Sequence, residues 1–159
     1  ENRKNGKAFT TFGDNFDVAI FDEAAEIFQE NPAYKHIKFV IPENDLWLTL
    51  DVSGTIIGLA HGHQFRTGGR YSHQKAVAWL SGQAFGMTEM GDADILISGH
   101  FHHLFVVNEG KRTLMQCPSV DGGSEWFENM TGKSSYAGTL TFSITPGKTQ
   151  LPWDNLKVL

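Results

Sequence analysis

Asp94-Ile95-Leu96-Ile97-Ser98-Gly99-His100-Phe101-His102-His103 reads as a short apolar strand that runs straight into a histidine cluster. Three imidazoles in four residues behind a buried strand are hard to explain as surface decoration. On an extended backbone, His100 and His102 would share one face about 7 Å apart. That spacing suits one shared metal ion or two adjacent ones. A second pair, His61-Gly62-His63, follows another apolar run, Thr55 to Ala60. Five of the seven histidines therefore stand at the ends of two apolar segments.

Working outward from these runs, Leu46 to Val52 alternates, and Ser53-Gly54 signals a hairpin into the second run. Between the clusters, Gly68-Gly69 marks a loop, and Ser72 opens a predicted helix to Phe85 with Ala76, Leu80 and Ala84 on one stripe. Beyond the second cluster, Leu104 to Val107 and Thr113 to Cys117 predict a hairpin around Asn108-Glu109-Gly110. Thr139 to Ile144 is a further strand, and the tail past Pro146-Gly147 reads as irregular. The stretch from Pro118 to Gly138 reads as a loop carrying Trp126, Phe127 and Tyr136. Upstream, a short strand is expected within residues 8–12. Phe16, Ile20, Ala24, Ile27 and Phe28 recur at helical spacing, and Asn31-Pro32 ends that packing helix. Ile37 to Ile41 is expected as a short strand.

The bulk properties bound the function. At 159 residues the chain can form one domain over 1–159, burying roughly 68–70% of its unfolded surface. A net charge of −5 gives no broad basic field, so any phosphate would be attracted locally by bound cations. The single Cys117 excludes an internal disulfide and a cysteine-rich zinc finger, which fits a reducing, cytoplasmic setting. No apolar run approaches the ~20 residues that span a bilayer, so no membrane partner is expected. The chain begins at Glu1 and enters through a polar run, and is expected to be part of a longer protein.

Neutral imidazole is a ligand for zinc, manganese or iron, and two or three from separate strands begin a catalytic metal site. Gly62 and Gly99 let backbone pass close to a ligand. His36 and His73, standing alone, read as ordinary hydrogen-bonded residues.

The motifs also match a family. Gly99-His100-Phe101-His102 after Asp94 to Ser98 resembles the Gly-His-x-His motif of calcineurin-like metallophosphoesterases. His61-Gly62-His63 resembles the family's preceding motif, which often reads His-Gly-His. Met115-Gln116-Cys117-Pro118-Ser119 falls where family members carry an Asn-Pro-Gly-Ser-like turn. Order and spacing agree over roughly residues 45–145, with two departures: Leu104 replaces a common proline, and Cys117-Pro118-Ser119 lacks the usual glycine.

The resemblance implies an α/β fold, the αββα sandwich, of which this chain would be the C-terminal part. It implies two divalent metal ions, manganese first and zinc or iron as alternatives. By position, His61 and His100 would bind one ion and His102 the other, while His63 and His103, the catalytic candidates, would either support the ligands or face substrate. Such metals, ~3.5–4 Å apart, lower the pKa of a bridging water and clamp the phosphoryl oxygens. A nearby histidine would protonate the leaving oxygen.

The family's early motifs, Asp-x-His, Gly-Asp-x-x-Asp and Gly-Asn-His, supply the carboxylates and an asparagine ligand. Gly13-Asp14-Asn15-Phe16-Asp17 spells the middle one, and Pro42-Glu43-Asn44-Asp45 echoes the third. This leaves Asp14 and Asn44 as open candidates. The preferred expectation places all three motifs before Glu1, so that this chain alone binds metal weakly and hydrolyses little.

Two other features compete for attention. Thr131-Gly132-Lys133-Ser134 resembles a P-loop ending, but Phe127 occupies the position of the first glycine. The stretch Asp121 to Phe127 could cradle a phosphate on Gly122-Gly123 and stack a base on Trp126 or Phe127. The leading expectation is a phosphoester substrate, DNA or a nucleotide among them. The alternatives are a non-catalytic regulatory or assembly module and a domain holding one zinc. Removing half of a sandwich would also expose a sheet, so self-association is expected.

Overall fold

The fold is taken from a computed structural model, which describes residues 3–4, 7–8, 15–42, 46–65, 72–121, 123, 125–132, 134, 136–147 and 150–159. Contacts group the chain into two compact units, residues 1–45 and 46–159, and each is described by itself.

In the first unit, β1 (Arg3–Lys4) pairs antiparallel with β2 (Lys7–Ala8). The strand expected within residues 8–12 falls mostly on positions outside the described residues. Helix α1 spans Phe16–Glu30, and the Asn15 side-chain oxygen caps it by accepting from Asp17 N at 3.0 Å. It ends at Asn31, whose extended backbone precedes Pro32 as the proline requires. No residue of α1 is buried, so the packing stripe read from the sequence is represented mainly by Phe28, whose ring meets Tyr34 and Phe39 at 5.3 and 5.6 Å.

Residues 37–41 do not form the expected strand. At Ile37 the backbone is satisfied locally: its N donates to Tyr34 O, and its carbonyl accepts from the Gln29 side chain. Of the early-motif candidates, Gly13, Asp14, Glu43, Asn44 and Asp45 lie outside the described residues, and Asn15 is a helix cap.

The second unit is built on a five-stranded mixed sheet. Its strands are β3 (Trp47–Val52), β4 (Thr55–Ala60), β5 (Ile95–Ser98), β6 (Phe105–Glu109) and β7 (Arg112–Gln116), in the order β3-β4-β5-β7-β6. The two outer pairs are antiparallel hairpins, and the three central strands run parallel. Ser53 and Gly54 turn the first hairpin with φ of 55° and 83°, the left-handed pair that a tight two-residue turn requires.

Joining β4 to β5 in parallel needs a crossover, which α2 (Ser72–Phe85) provides. On the crossover side, Ala76 and Leu80 pack with Phe65, Met90, Leu96 and Leu114 in one core cluster. On the other side, Ile57, Ile95, Thr113 and Met115 are buried. The α/β class expected from the sequence is therefore what the structure shows.

Two elements differ from the sequence reading. Residues 153–158, read as irregular, form β9 (Trp153–Val158), which pairs with β8 (Leu140–Ile144) across a bulge. Asn155 at φ 55° interrupts the alternation, which hid the strand. The Trp153 indole N–H donates to Thr113 Oγ1 at 2.9 Å, and that hydroxyl donates on to Asn108 at 2.8 Å.

The stretch read as loop holds α3 (Glu125–Thr131), too short for periodicity to reveal. Gly132, at φ +67°, follows its end. The P-loop reading fails on this point, because its Gly-Lys-Ser/Thr should open a helix and Thr131 closes one. Gly122, Ser124 and Lys133 lie outside the described residues, and the side chains of Trp126 and Phe127 are not described. Among the described residues, no helix is long and apolar enough to cross a membrane.

Candidate metal centre

Strands β4 and β5 lie side by side in parallel with Ala60 opposite Ser98, so the residues that follow each emerge at the same edge of the sheet. That edge, at the carboxyl ends of parallel strands, is where open α/β sheets place their ligands. The two emerging turns are laced together. The His61 carbonyl accepts from Gly99 N at 3.1 Å and from His100 N at 2.8 Å. Gly62 makes this approach possible: its φ is +104°, and a Cβ there would stand 3.2 Å from both His100 Cβ and Ser98 Cβ.

The lacing brings the imidazoles together. His61 Nε2 and His100 Nδ1 face one another at 2.9 Å, with ring centroids 4.9 Å apart. The His63 ring centroid lies 5.6 Å from that of His61 and 6.4 Å from that of His100. Two nitrogens sharing a tetrahedral zinc at ~2.05 Å would stand about 3.4 Å apart. The observed pair is thus a few tenths of an ångström inside the separation an ion needs, a gap that a small ring rotation opens. At 2.9 Å one ring's N–H donates to the other ring's nitrogen.

The end of the cluster departs from the sequence reading. Residues 99–103 are a turn and not an extended strand. His102 N donates to Gly99 O at 3.1 Å, and His102 itself has φ 56°. The alternation argument that set His100 and His102 on one face therefore does not describe this backbone. His102 and His103 are exposed.

His103 is held at two atoms: its Nδ1 lies 2.9 Å from Phe101 O, and its carbonyl accepts from Gln116 Nε2 at 2.9 Å. A carbonyl brings no proton, so the ring supplies it, and the neutral tautomer carries its hydrogen on Nδ1.

The sequence reading placed Gln116 in the stretch Met115 to Ser119 but gave it no role at the site. It is 4% exposed at the end of β7, and it ties the third parallel strand to the histidine turn. Its place in that turn-like stretch was the available signal, and the register sets it opposite Ser98. Cys117 continues the tie by donating its N–H to Ser98 O at 2.7 Å, and burial pushes its thiol pKa up. At the other end of β5, the Asp94 carboxylate accepts from Ile56 N at 2.9 Å, a role in the sheet. His73 stacks on Phe105 with centroids 5.2 Å apart.

The arrangement offers two convergent imidazole donors to a metal ion. Among the described residues, no group of three or more His, Cys, Asp or Glu is placed to hold one. The donor set therefore fits part of a metal shell.

No family model matches the chain, and no curated protein sequence matches it. Solved structures do. A single mutant of Vps29 from Entamoeba histolytica is 20% identical over 67% of this chain and 52% of its own, with a TM-score of 0.49. Wild-type Vps29 of the same organism, complexed with Zn2+, is 24% identical over 68% and 52%, at 0.47. A Streptococcus pneumoniae protein named as a predicted phosphoesterase is 20% identical over 65% and 48%, at 0.42. The chain spans about half the length of these structures.

Proposed function

We propose that residues 46–159 supply the histidine part of a divalent-metal site in a phosphoester hydrolase. The observation that carries this reading is the facing of His61 Nε2 and His100 Nδ1 at 2.9 Å from the ends of two adjacent parallel strands. Manganese is the favoured ion, with zinc or iron as alternatives, and His102 is the chain's donor toward a second ion. Such ions would polarise a phosphoryl oxygen and lower the pKa of bound water.

The chain's own residues do the rest. The His61 carbonyl, bonded to two amides, keeps the two ligand turns in register. His103, with Nδ1–H committed to Phe101 O, presents a bare Nε2 that would first take a proton from the attacking water and then, as the imidazolium, return it to the leaving oxygen. His63, beside both ligand rings, is the other catalytic candidate.

Turnover of bis-p-nitrophenyl phosphate with manganese tests the reading. The expected result is slow turnover, abolished by a chelator and by His100→Ala. Turnover indifferent to both would overturn it. A rate of about 1 s⁻¹ or more, ordinary for an intact enzyme, would overturn the partial-site reading.

The same 2.9 Å pair supports a second reading, a non-catalytic assembly module in which His61 and His100 are a hydrogen-bonded structural pair. There, His100→Ala costs about 1 kcal/mol of stability and changes no metal affinity.

A further inference from the structure

Four segments of the second unit converge on a cleft of about 400 Å³ lined by His103, Leu104, Pro118, Ser134, Tyr136 and Val158. They are the turn after β5, the turn after β7, the stretch after α3, and β9. A volume of that size is ordinary for a small-molecule site, about 300–1,000 Å³. Three apolar side chains form walls, and two of them remain open to solvent, Leu104 at 46% and Val158 at 40% exposure. The Tyr136 ring is 92% exposed, a flat aromatic face turned to solvent. The polar groups described in the lining are the Ser134 and Tyr136 hydroxyls and the His103 imidazole, whose Nδ1 is committed to Phe101 O. Apolar walls beside an aromatic ring and a few hydroxyl and imidazole groups suit a neutral flat group. The Phe101 ring connects the cleft's His103 with His100, at centroid distances of 6.5 and 5.0 Å, and a phosphate on the same molecule is assigned to the histidine pair by the function proposed above.

We infer that the cleft seats the base of a nucleotide phosphoester, stacked on Tyr136 between the Leu104, Pro118 and Val158 walls. The choice of a nucleotide rests on the function proposed above, whereas the preference for a flat, neutral, hydrogen-bonding ring rests on the cleft alone. Stacking of a base on an exposed aromatic is worth enough to change affinity about tenfold or more.

Titration of ¹⁵N-labelled chain with adenosine, which has no phosphate, tests the cleft. Parallel titrations with manganese, followed by calorimetry, test the histidine pair. Adenosine should shift amides around 103–104 and 134–138. Tyr136→Ala should weaken it about tenfold, with an otherwise unchanged spectrum as the folding control. Tyr136→Phe should bind nearly as well as the natural chain. Absence of binding at millimolar adenosine, shifts confined to other surfaces, or indifference to Tyr136→Ala would each overturn the inference. If adenosine behaves as expected while manganese ignores His61 and His100, the metal reading fails and the cleft stands. Metal binding at the histidine pair without adenosine binding would overturn the cleft and leave the metal reading standing.

Discussion

Gly62→Ala is the substitution that most sharply separates backbone strain from damage to the histidine pair. At φ +104° an alanine carries a conformational cost of about 1–3 kcal/mol wherever it sits. Here the new Cβ would also stand 3.2 Å from His100 Cβ and Ser98 Cβ, so a neighbour must yield by a few tenths of an ångström. Ser98 is fixed in β5, with its carbonyl accepting from Cys117 N at 2.7 Å, so His100, in the turn beyond the strand, is the neighbour that yields. That displacement acts on a pair whose facing nitrogens already need adjustment to accept an ion. Gly54→Ala is the control: its φ is +83°, with nothing within 4 Å of the new Cβ.

Both variants should lower the urea midpoint, by roughly 1 M for a cost of about 2 kcal/mol. Only Gly62→Ala should weaken divalent-metal affinity, by about tenfold, the lower end of what misplaced ligand support costs. Calorimetric titration with zinc and urea unfolding followed by circular dichroism give the two numbers. Equal metal affinity in the two variants would refute the claim that Gly62 sets the approach of His61 to His100.

Three further outcomes follow from particular bonds. Gln116→Leu removes the donor to the His103 carbonyl, and should cost about 1 kcal/mol and speed amide exchange across 100–103; unchanged exchange there would show that Gln116 does not hold the turn. Trp153→Phe deletes the indole bond to Thr113 Oγ1 and should lower the melting temperature by about 2–4 °C, whereas an unchanged melt would mean that the β8–β9 hairpin is not anchored through that bond. Cys117, its thiol pKa pushed up by burial, holds less thiolate near neutral pH than an exposed cysteine, so iodoacetamide should label it slowly at about pH 7.5 and faster as the pH rises. Labelling near neutral pH as fast as that of an exposed thiol would contradict the burial.

The parts of the fold legible in the sequence are those with strong local signals. Ser53-Gly54 between two apolar runs announces its hairpin because only a few residue types tolerate the left-handed turn. The crossover helix and β5 follow from periodicity and from an uninterrupted apolar run. Each histidine cluster is legible because it directly follows such a run. The missed elements lack local signals. β9 carries a left-handed Asn155 inside it, α3 has seven residues, and Ile37 finds its backbone partners in Gln29 and Tyr34 instead of a neighbouring strand.

At the site, the residue types were legible but their geometry was not. That His61 offers Nε2 and His100 Nδ1 depends on a contact 39 residues apart in sequence, and the support from Gln116 crosses 13. The turn at His102 overrode the period-two argument, because Gly99 accepts from His102 N before any strand can continue.

The central claim is that His61 and His100 form one metal-binding pair, and long-range ¹H–¹⁵N NMR of the imidazoles during zinc addition tests it most directly. His61 Nε2 and His100 Nδ1 should shift together, in proportion to bound zinc, while His36 and His73 stay unchanged. Zinc that leaves both nitrogens in place, or that moves only one of them, would contradict it.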